Sequence, residues 1–163
     1  MPSSSDAGAE NSSPLRFGPM RAEDLAAVVE IEVASFPTPW NRGHFLHEMQ
    51  RNPYSINRVL RRDDRVVGYV SVWALDGELQ VNKIAIAPAE RGKKLGRLLL
   101  ARLLRLARDT NCRKVTLEVR PGNVAARKLY AGQGFRESGR RADYYGPGEH
   151  AVLMCRDVVR SAG

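Results

Sequence analysis

The chain has 163 residues and a formal net charge of +8, long enough for one domain with a real hydrophobic core. With 43% hydrophobic and 27% charged residues it has the composition of a soluble globular protein, and no apolar run approaches the roughly 20 residues that span a bilayer. Two cysteines, Cys112 and Cys155, are too few for a disulfide framework and read as buried thiols in strand-like surroundings. His44, His47 and His150 lack zinc-type spacing, so no metal is expected. The basic excess favours an anionic partner: nucleic acid, a ribosome surface or a phosphate-rich cofactor.

Residues 1–14, MPSSSDAGAENSSP, are polar and aperiodic and read as a disordered tail. They lack the charged-then-apolar layout of a secretory signal, so a cytoplasmic location is expected. Leu15 to Met20 fits a first, edge strand. Residues 22–36 read as a helix whose apolar face is Leu25, Val28, Val29, Val33 and Phe36. Phe36-Pro37-Thr38-Pro39-Trp40 breaks it and predicts a stiff loop with an apolar lip, suited to wall a groove or to fill the core. Asn41 suits the N-cap of a second helix, to about Arg51, with Phe45, Leu46 and Met49 inward.

The period then changes from helical to alternating. Tyr54–Arg62, Val66–Leu75 and Glu78–Ala87 read as three consecutive antiparallel strands, joined by turns at Asp63-Asp64 and Asp76-Gly77. Asn82 to Arg97, NKIAIAPAERGKKLGR, is the stretch on which the rest is organised. A short apolar run, Ile84-Ala85-Ile86, ends at Pro88. A basic, glycine-containing loop follows, and then the helical spacing of Leu95-Gly96-Arg97. Strand, basic loop and helix N-terminus together make an anion site, because unpaired N–H groups and the positive helix end face outward. Seven basic residues and no acid lie between Arg91 and Arg108. Arg102, Arg105 and Arg108 suit a solvated helix face. Arg91, Lys93 and Lys94 crowd one loop, where like charges repel unless an anion is present.

The helix from Lys94 to Thr110 turns its leucines to one side. KVTLEVR, Lys114–Arg120, alternates as a strand, so strand, helix and strand form a βαβ unit with a parallel pair. Asn123 suits the N-cap of a short helix, Val124–Ala131. Phe135–Asp143 and His150–Val158 read as strands separated by a loop, Tyr144-Tyr145-Gly146-Pro147-Gly148. The expected class is α/β, with a mixed, mostly antiparallel sheet, one parallel strand pair and flanking helices.

Three runs, IAIAPAERGKKLGRLLL, LEVRPGNVAARKLYAGQGF and ADYYGPGEHAVLMCRDV, resemble the GNAT superfamily of acetyl-CoA-dependent N-acetyltransferases, and within it the RimI-like branch. The resemblance spans residues 15–158, the expected catalytic domain. It implies a fold, an acetyl-CoA cosubstrate without a metal, and roles for individual residues. Ile84, Ala85 and Ile86 would line the pantetheine arm. Arg91, Gly92, Lys93, Lys94, Leu95, Gly96 and Arg97 would cradle the pyrophosphate. Asn123 matches a position bonding the pantetheine, alongside its capping role. Lys94 stands where the family usually has glycine, and a conformation suited only to glycine would be strained there.

The chemistry needs a neutral amine to attack a thioester and a group to take its proton. The resemblance assigns that to Glu118, whose neighbours Leu117 and Val119 should face the other side of the sheet. Tyr130 matches the donor to the departing thiolate, and the Ile86 N–H would meet the charge on the attacked carbonyl. Trp40, Tyr144, Tyr145 and Glu149 would border the acceptor, implied to be a protein N-terminus, in particular the N-terminal alanine of a ribosomal protein. Transfer to a small-molecule amine or a lysine side chain, and a basic nucleic-acid-binding module, are the alternative readings. Contact with nucleic acid is left open by the charge and not required by the motifs.

Overall fold

In the computed structural model the chain is described over residues 13–158. The expected tail falls at residues 1–12 outside that range, apart from Ser13 and Pro14. Among the described residues seven strands form one sheet: β1 (Leu15–Pro19), β2 (Ser55–Arg62), β3 (Arg65–Leu75), β4 (Glu78–Ile86), β5 (Lys114–Val119), β6 (Arg136–Gly146) and β7 (Glu149–Asp157). Their spatial order is β1-β2-β3-β4-β5-β7-β6. Among the described residues only β4 and β5 run parallel. The helices are α1 (Leu25–Ser35), α2 (Arg42–Gln50), α3 (Leu95–Asp109) and α4 (Val124–Gly132).

Each sheet face has its own core. On one face Leu99, Leu100, Leu103 and Ala107 of α3 are wholly buried against Val67, Val72, Leu79 and Val115. A buried leucine contributes roughly 1.5–3 kcal/mol, so this leucine face explains why α3 lies flat on the sheet. On the other face Leu25 and Val28 of α1 and Phe45 of α2 pack on Val59, Val66, Tyr69 and Ala85. Alternation along β3 and β4 divides these sets: Tyr69 and Ala85 look to α1 and α2, while Val70, Ile84 and Ile86 look to α3.

Local signals explain most boundaries. Asn41 caps α2, accepting from the His44 N–H at 3.0 Å, while His44 Nδ1 accepts from the Asn41 N–H at 3.1 Å. Asp76 and Gly77 both take positive φ, 54° and 77°, as the two-residue turn between β3 and β4 requires.

Four expectations need correction. Residues 22–24 form a separate 3-10 turn before α1. Val33 is 60% exposed, because the buried arc of α1 runs through Leu25, Val28, Ile31 and Glu32, leaving Val33 beyond its rim. Tyr144 and Tyr145 belong to β6 rather than to a loop; the Gly-Pro-Gly punctuation marks only the tip of the hairpin, and the aromatic pair before it suits a strand. Cys112 is buried as expected, but in the turn between α3 and β5.

Two features of β4 open the sheet. The β3–β4 register shifts between Ser71↔Lys83 and Val72↔Val81, which makes Asn82 a bulge residue. The parallel pairing with β5 covers only Glu78↔Lys114 to Val81↔Leu117. Beyond it β5 stays with β7, pairing Glu118 with Leu153 and Val119 with Val152, while β4 stays with β3 as far as Gly68↔Ile86. The two strands therefore part, and a gap forms between them.

Gly68 holds the β3 side of that gap close. A Cβ there would stand 2.9 Å from Ile86 Cδ1 and 3.0 Å from the Ala85 carbonyl oxygen. Gly68→Ala should push β4 outward and cost about 1–3 kcal/mol. Denaturant unfolding should show the loss, and the Michaelis constant for a ligand lying along β4 should rise with it.

Candidate active site

The gap exposes backbone on one side. The Ala87 N–H donates to the Val67 carbonyl at 2.8 Å, so residues 85 and 87 face β3 in the antiparallel ladder. The N–H and C=O groups of Ile84 and Ile86 alternate with them and point to the edge that β5 has left. Such an edge is a template for an extended, amide-containing ligand.

At its end, Pro88–Glu90 makes a 3-10 turn and the basic loop begins. Gly92 (φ 80°) and Lys94 (φ 63°) both adopt the left-handed conformation, and Lys94 is the N-cap of α3. A glycine-type conformation at Lys94 costs about 1–2 kcal/mol, so the loop keeps its shape with a residue that does not favour it. Gly96 sits under α4, where a Cβ would be 3.1 Å from Leu129 Cδ2. That closeness seats the helix carrying Tyr130 on the first turn of α3.

The basic loop contains its own counter-ion, which the charge pattern obscured. Glu90 is 5% exposed and meets Arg62 Nη1 at 2.7 Å, Arg65 Nη2 at 3.1 Å and Lys93 Nζ at 3.4 Å. Burial alone would push its carboxyl up, but the hydrogen bond from Arg62 and the charges of Lys93 and Arg62 hold it below the usual carboxylate range. Arg91 reaches elsewhere: its Nη2 donates to Ser35 Oγ at 2.9 Å and its Nε to the Ile86 carbonyl at 3.3 Å. The loop is thus tied to β2 and β3 through Glu90 and to the end of α1 through Arg91.

The two candidate reactive residues sit on β5 and α4. Leu117 and Val119 are buried in the α3-side core, so the Glu118 side chain lies on the α1–α2 face. It is partly exposed, and its Oε1 stands 3.0 Å from Arg141 Nη1 of β6. Arg141, not anticipated from sequence, also lies over the Tyr144 ring at 5.1 Å. Tyr130 is 8% exposed and packs in the core that includes Ile84, Ile86, Leu117 and Val119, its ring 5.8 Å from Phe135. The two side chains therefore lie on opposite faces of the sheet. Asn123 caps α4, accepting from the Ala126 N–H at 3.2 Å. The Asn82 Nδ2 is buried without a hydrogen-bond partner among the described residues, at the bulge where the strands part.

Trp40 is half-buried at the foot of the Phe36–Trp40 loop, edge-on to Phe45 at 5.3 Å. Tyr144 is 44% exposed. Tyr145 follows it in β6, and Glu149 opens β7, paired with Gly146. Among the described residues no group of His, Cys, Asp or Glu is placed to hold a metal ion, and no helix is long and apolar enough to cross a membrane.

An open strand edge leading into a basic loop and a helix N-terminus suits an extended ligand that carries phosphate. The model of the acetyltransferase (GNAT) family matches residues 25–135. A putative ribosomal protein bS18-alanine N-acetyltransferase of Bacillus subtilis is 38% identical over 136 residues, covering 83% of this chain and 90% of the relative. The N-alpha-acetyltransferase RimI of Mycobacterium tuberculosis is 33% identical over 154 residues, covering 90% and 95%. The crystal structure of the ribosomal-protein-S18-alanine N-acetyltransferase from Escherichia coli superposes with a TM-score of 0.80 at 26% identity, covering 92% of this chain and 97% of that one. The chain belongs to the GNAT acetyltransferase family, in its RimI-like branch. It is an acetyl-CoA-dependent N-acetyltransferase.

Glu90→Gln tests the loop's internal counter-ion. It leaves the Arg62 guanidinium, 7% exposed, buried without its anion, and the expected cost is about 3–5 kcal/mol at neutral pH. Because the folded carboxyl is held low, its contribution is present above the unfolded value and lost as pH falls through the folded one. Urea unfolding at pH 7 and pH 3 should show the wild type losing a stability increment on acidification that Glu90→Gln does not lose.

Proposed function

We propose that the protein acetylates the N-terminal α-amine of a ribosomal protein beginning with alanine, in the cytoplasm, the acceptor named for the relatives being bS18. The observation that carries the reading is the gap between β4 and β5, with Glu118 on one face and Tyr130 on the other. Acetyl-CoA supplies an activated thioester. The residues present fit it: the free edge of Ile84 and Ile86 matches a pantetheine amide chain, the Asn82 amide lies at the bulge where that edge begins, and Gly92–Arg97 offers backbone N–H groups at a helix end to a pyrophosphate, with Asn123 given to the pantetheine by the resemblance.

Glu118 accepts the proton of the attacking amine, directly or through one water. An α-amine with a pKa of about 7.7–8.0 is substantially neutral near pH 7.5, so a weak base suffices. The Ile86 N–H donates to the carbonyl oxygen as it gathers negative charge. Tyr130 returns a proton to the departing sulfur. Arg141 holds the Glu118 carboxylate in place; as an exposed pair it adds at most about 1 kcal/mol to stability. In this reading the Phe36–Trp40 loop and the β6–β7 hairpin, which carries Tyr144, Tyr145 and Glu149, border the acceptor groove.

Turnover of a synthetic peptide beginning with the bS18 N-terminal sequence, with acetyl-CoA, tests this. The wild type should acetylate the α-amine and leave an N-terminally blocked peptide carrying a free lysine unmodified. Glu118→Gln and Tyr130→Phe should each lower kcat by about 10²-fold or more with acetyl-CoA binding retained. Full activity in both, or equal use of the blocked peptide, would contradict the proposal.

A further inference from the structure

One buried cluster takes no part in acetyl transfer itself. Glu32, in the last turn of α1, is wholly buried. Its carboxylate accepts from the Tyr69 hydroxyl of β3 and from the Trp40 backbone N–H at 2.8 Å, and stands 2.8 Å from Lys83 Nζ of β4. The Lys83 side chain is 12% exposed. Its ammonium lies 4.1 Å from the centre of the Phe36 ring and 5.1 Å from that of Trp40. Burial, together with the hydrogen bond to Glu32 and its charge, keeps the Tyr69 phenol protonated.

The position of this cluster gives it meaning. Phe36 and Trp40 are the half-buried feet of a loop whose tip, Pro37, Thr38 and Pro39, is exposed. Both feet rest on Lys83, and one foot is bonded to Glu32. Lys83 directly precedes Ile84, on the strand with the free edge, and shares its sheet face with Ala85. Glu118 lies on that same face. Burying an ion pair seldom adds stability over a well-packed apolar pair. An apolar pair, however, cannot receive the Trp40 N–H or hold two rings about one point. The charges therefore fix geometry rather than add stability.

We propose that Lys83 and Glu32 are positioning residues that clamp the Phe36–Trp40 loop to β4 and so set the acceptor wall of the cleft for an incoming polypeptide N-terminus. The clamp deepens the proposed function, since it rests on that loop lining the acceptor groove. Its contacts are to the acceptor loop, whereas the phosphate loop has a separate counter-ion in Glu90, held by Arg62, Arg65 and Lys93, and meets the end of α1 through Arg91 and Ser35. Disturbing the clamp releases the acceptor wall first, so the expected effect falls mainly on acceptor binding.

Lys83→Met keeps most of the length of the side chain and removes its charge. The peptide KM should rise about tenfold or more while the acetyl-CoA KM changes less than about twofold, and Lys83→Arg should recover part of the loss. The chain has two tryptophans, so in a Trp73→Phe background Trp40 reports on the loop directly. Acrylamide should quench Trp40 more strongly in Lys83→Met than in its parent. If Lys83→Met folds poorly, the paired variant Glu32→Met/Lys83→Met provides an apolar core and should show the same released Trp40 and the same peptide defect. A folded variant with unchanged quenching overturns the clamp. A released Trp40 with an unchanged peptide KM, or with both Michaelis constants raised equally, overturns its part in acceptor binding. A wild type that acetylates no peptide would count against the proposed function, while the quenching comparison would still decide the clamp.

Discussion

Parallel strands normally pair along their whole length, because an unpaired strand edge leaves peptide groups without partners. Here β4 and β5 pair over Glu78–Val81 and Lys114–Leu117 and then separate, each held by its outer neighbour. Most of what is distinctive in the fold serves that separation. The Asn82 bulge bends β4 where it begins, Gly68 keeps β4 close to β3, and Gly96 lets α4 settle on the start of α3. The peptide groups of Ile84 and the Ile86 N–H are left facing the gap, the Ile86 carbonyl being met by Arg91 Nε, and a ligand with its own amides can complete the ladder.

Charge is balanced from within the fold. The loop after β4 brings Arg91, Lys93 and Lys94 together, and repulsion among them is met from beneath by Glu90. Glu90 in turn neutralises the buried Arg62 and pairs with Arg65, both flanking the β2–β3 turn. The loop is therefore already shaped, which would lower the ordering cost of the pyrophosphate binding proposed for it. Keeping Lys94 in a left-handed conformation shows that the surrounding loop determines the backbone there more strongly than the residue's own preference does.

Much of this was legible in the sequence. Changes of period, caps and turn residues marked the elements, most clearly β2 to β4, α3 and β5, and the strand-helix-strand order required a parallel pair; the start of α1 and the end of β6 were misread. Asn41 and Asn123 announced their helices because capping is a local interaction. What escaped was non-local. Glu32 lies on an apolar helix face and looks like an interruption until Lys83, Tyr69 and Trp40 converge on it from distant positions. Glu90 reads as one acid in a basic loop, and Arg141 as one arginine among several, until the sheet brings Arg62 and Glu118 to them. The point where β4 and β5 part was also hidden, since neither strand changes its alternation there. The family motifs supplied what spacing could not: a reason to place the donor at Ile84–Ile86 and the acid and phenol at Glu118 and Tyr130.

The unpaired edge of β4 can be measured directly by residue-resolved amide hydrogen exchange with and without acetyl-CoA. The account predicts that Ala85 and Ala87, bonded to β3, exchange slowly in both states, while Ile84 and Ile86 exchange rapidly alone and become protected when acetyl-CoA is added. Slow exchange at Ile84 and Ile86 in the free protein, or no added protection with acetyl-CoA at saturation, would contradict it.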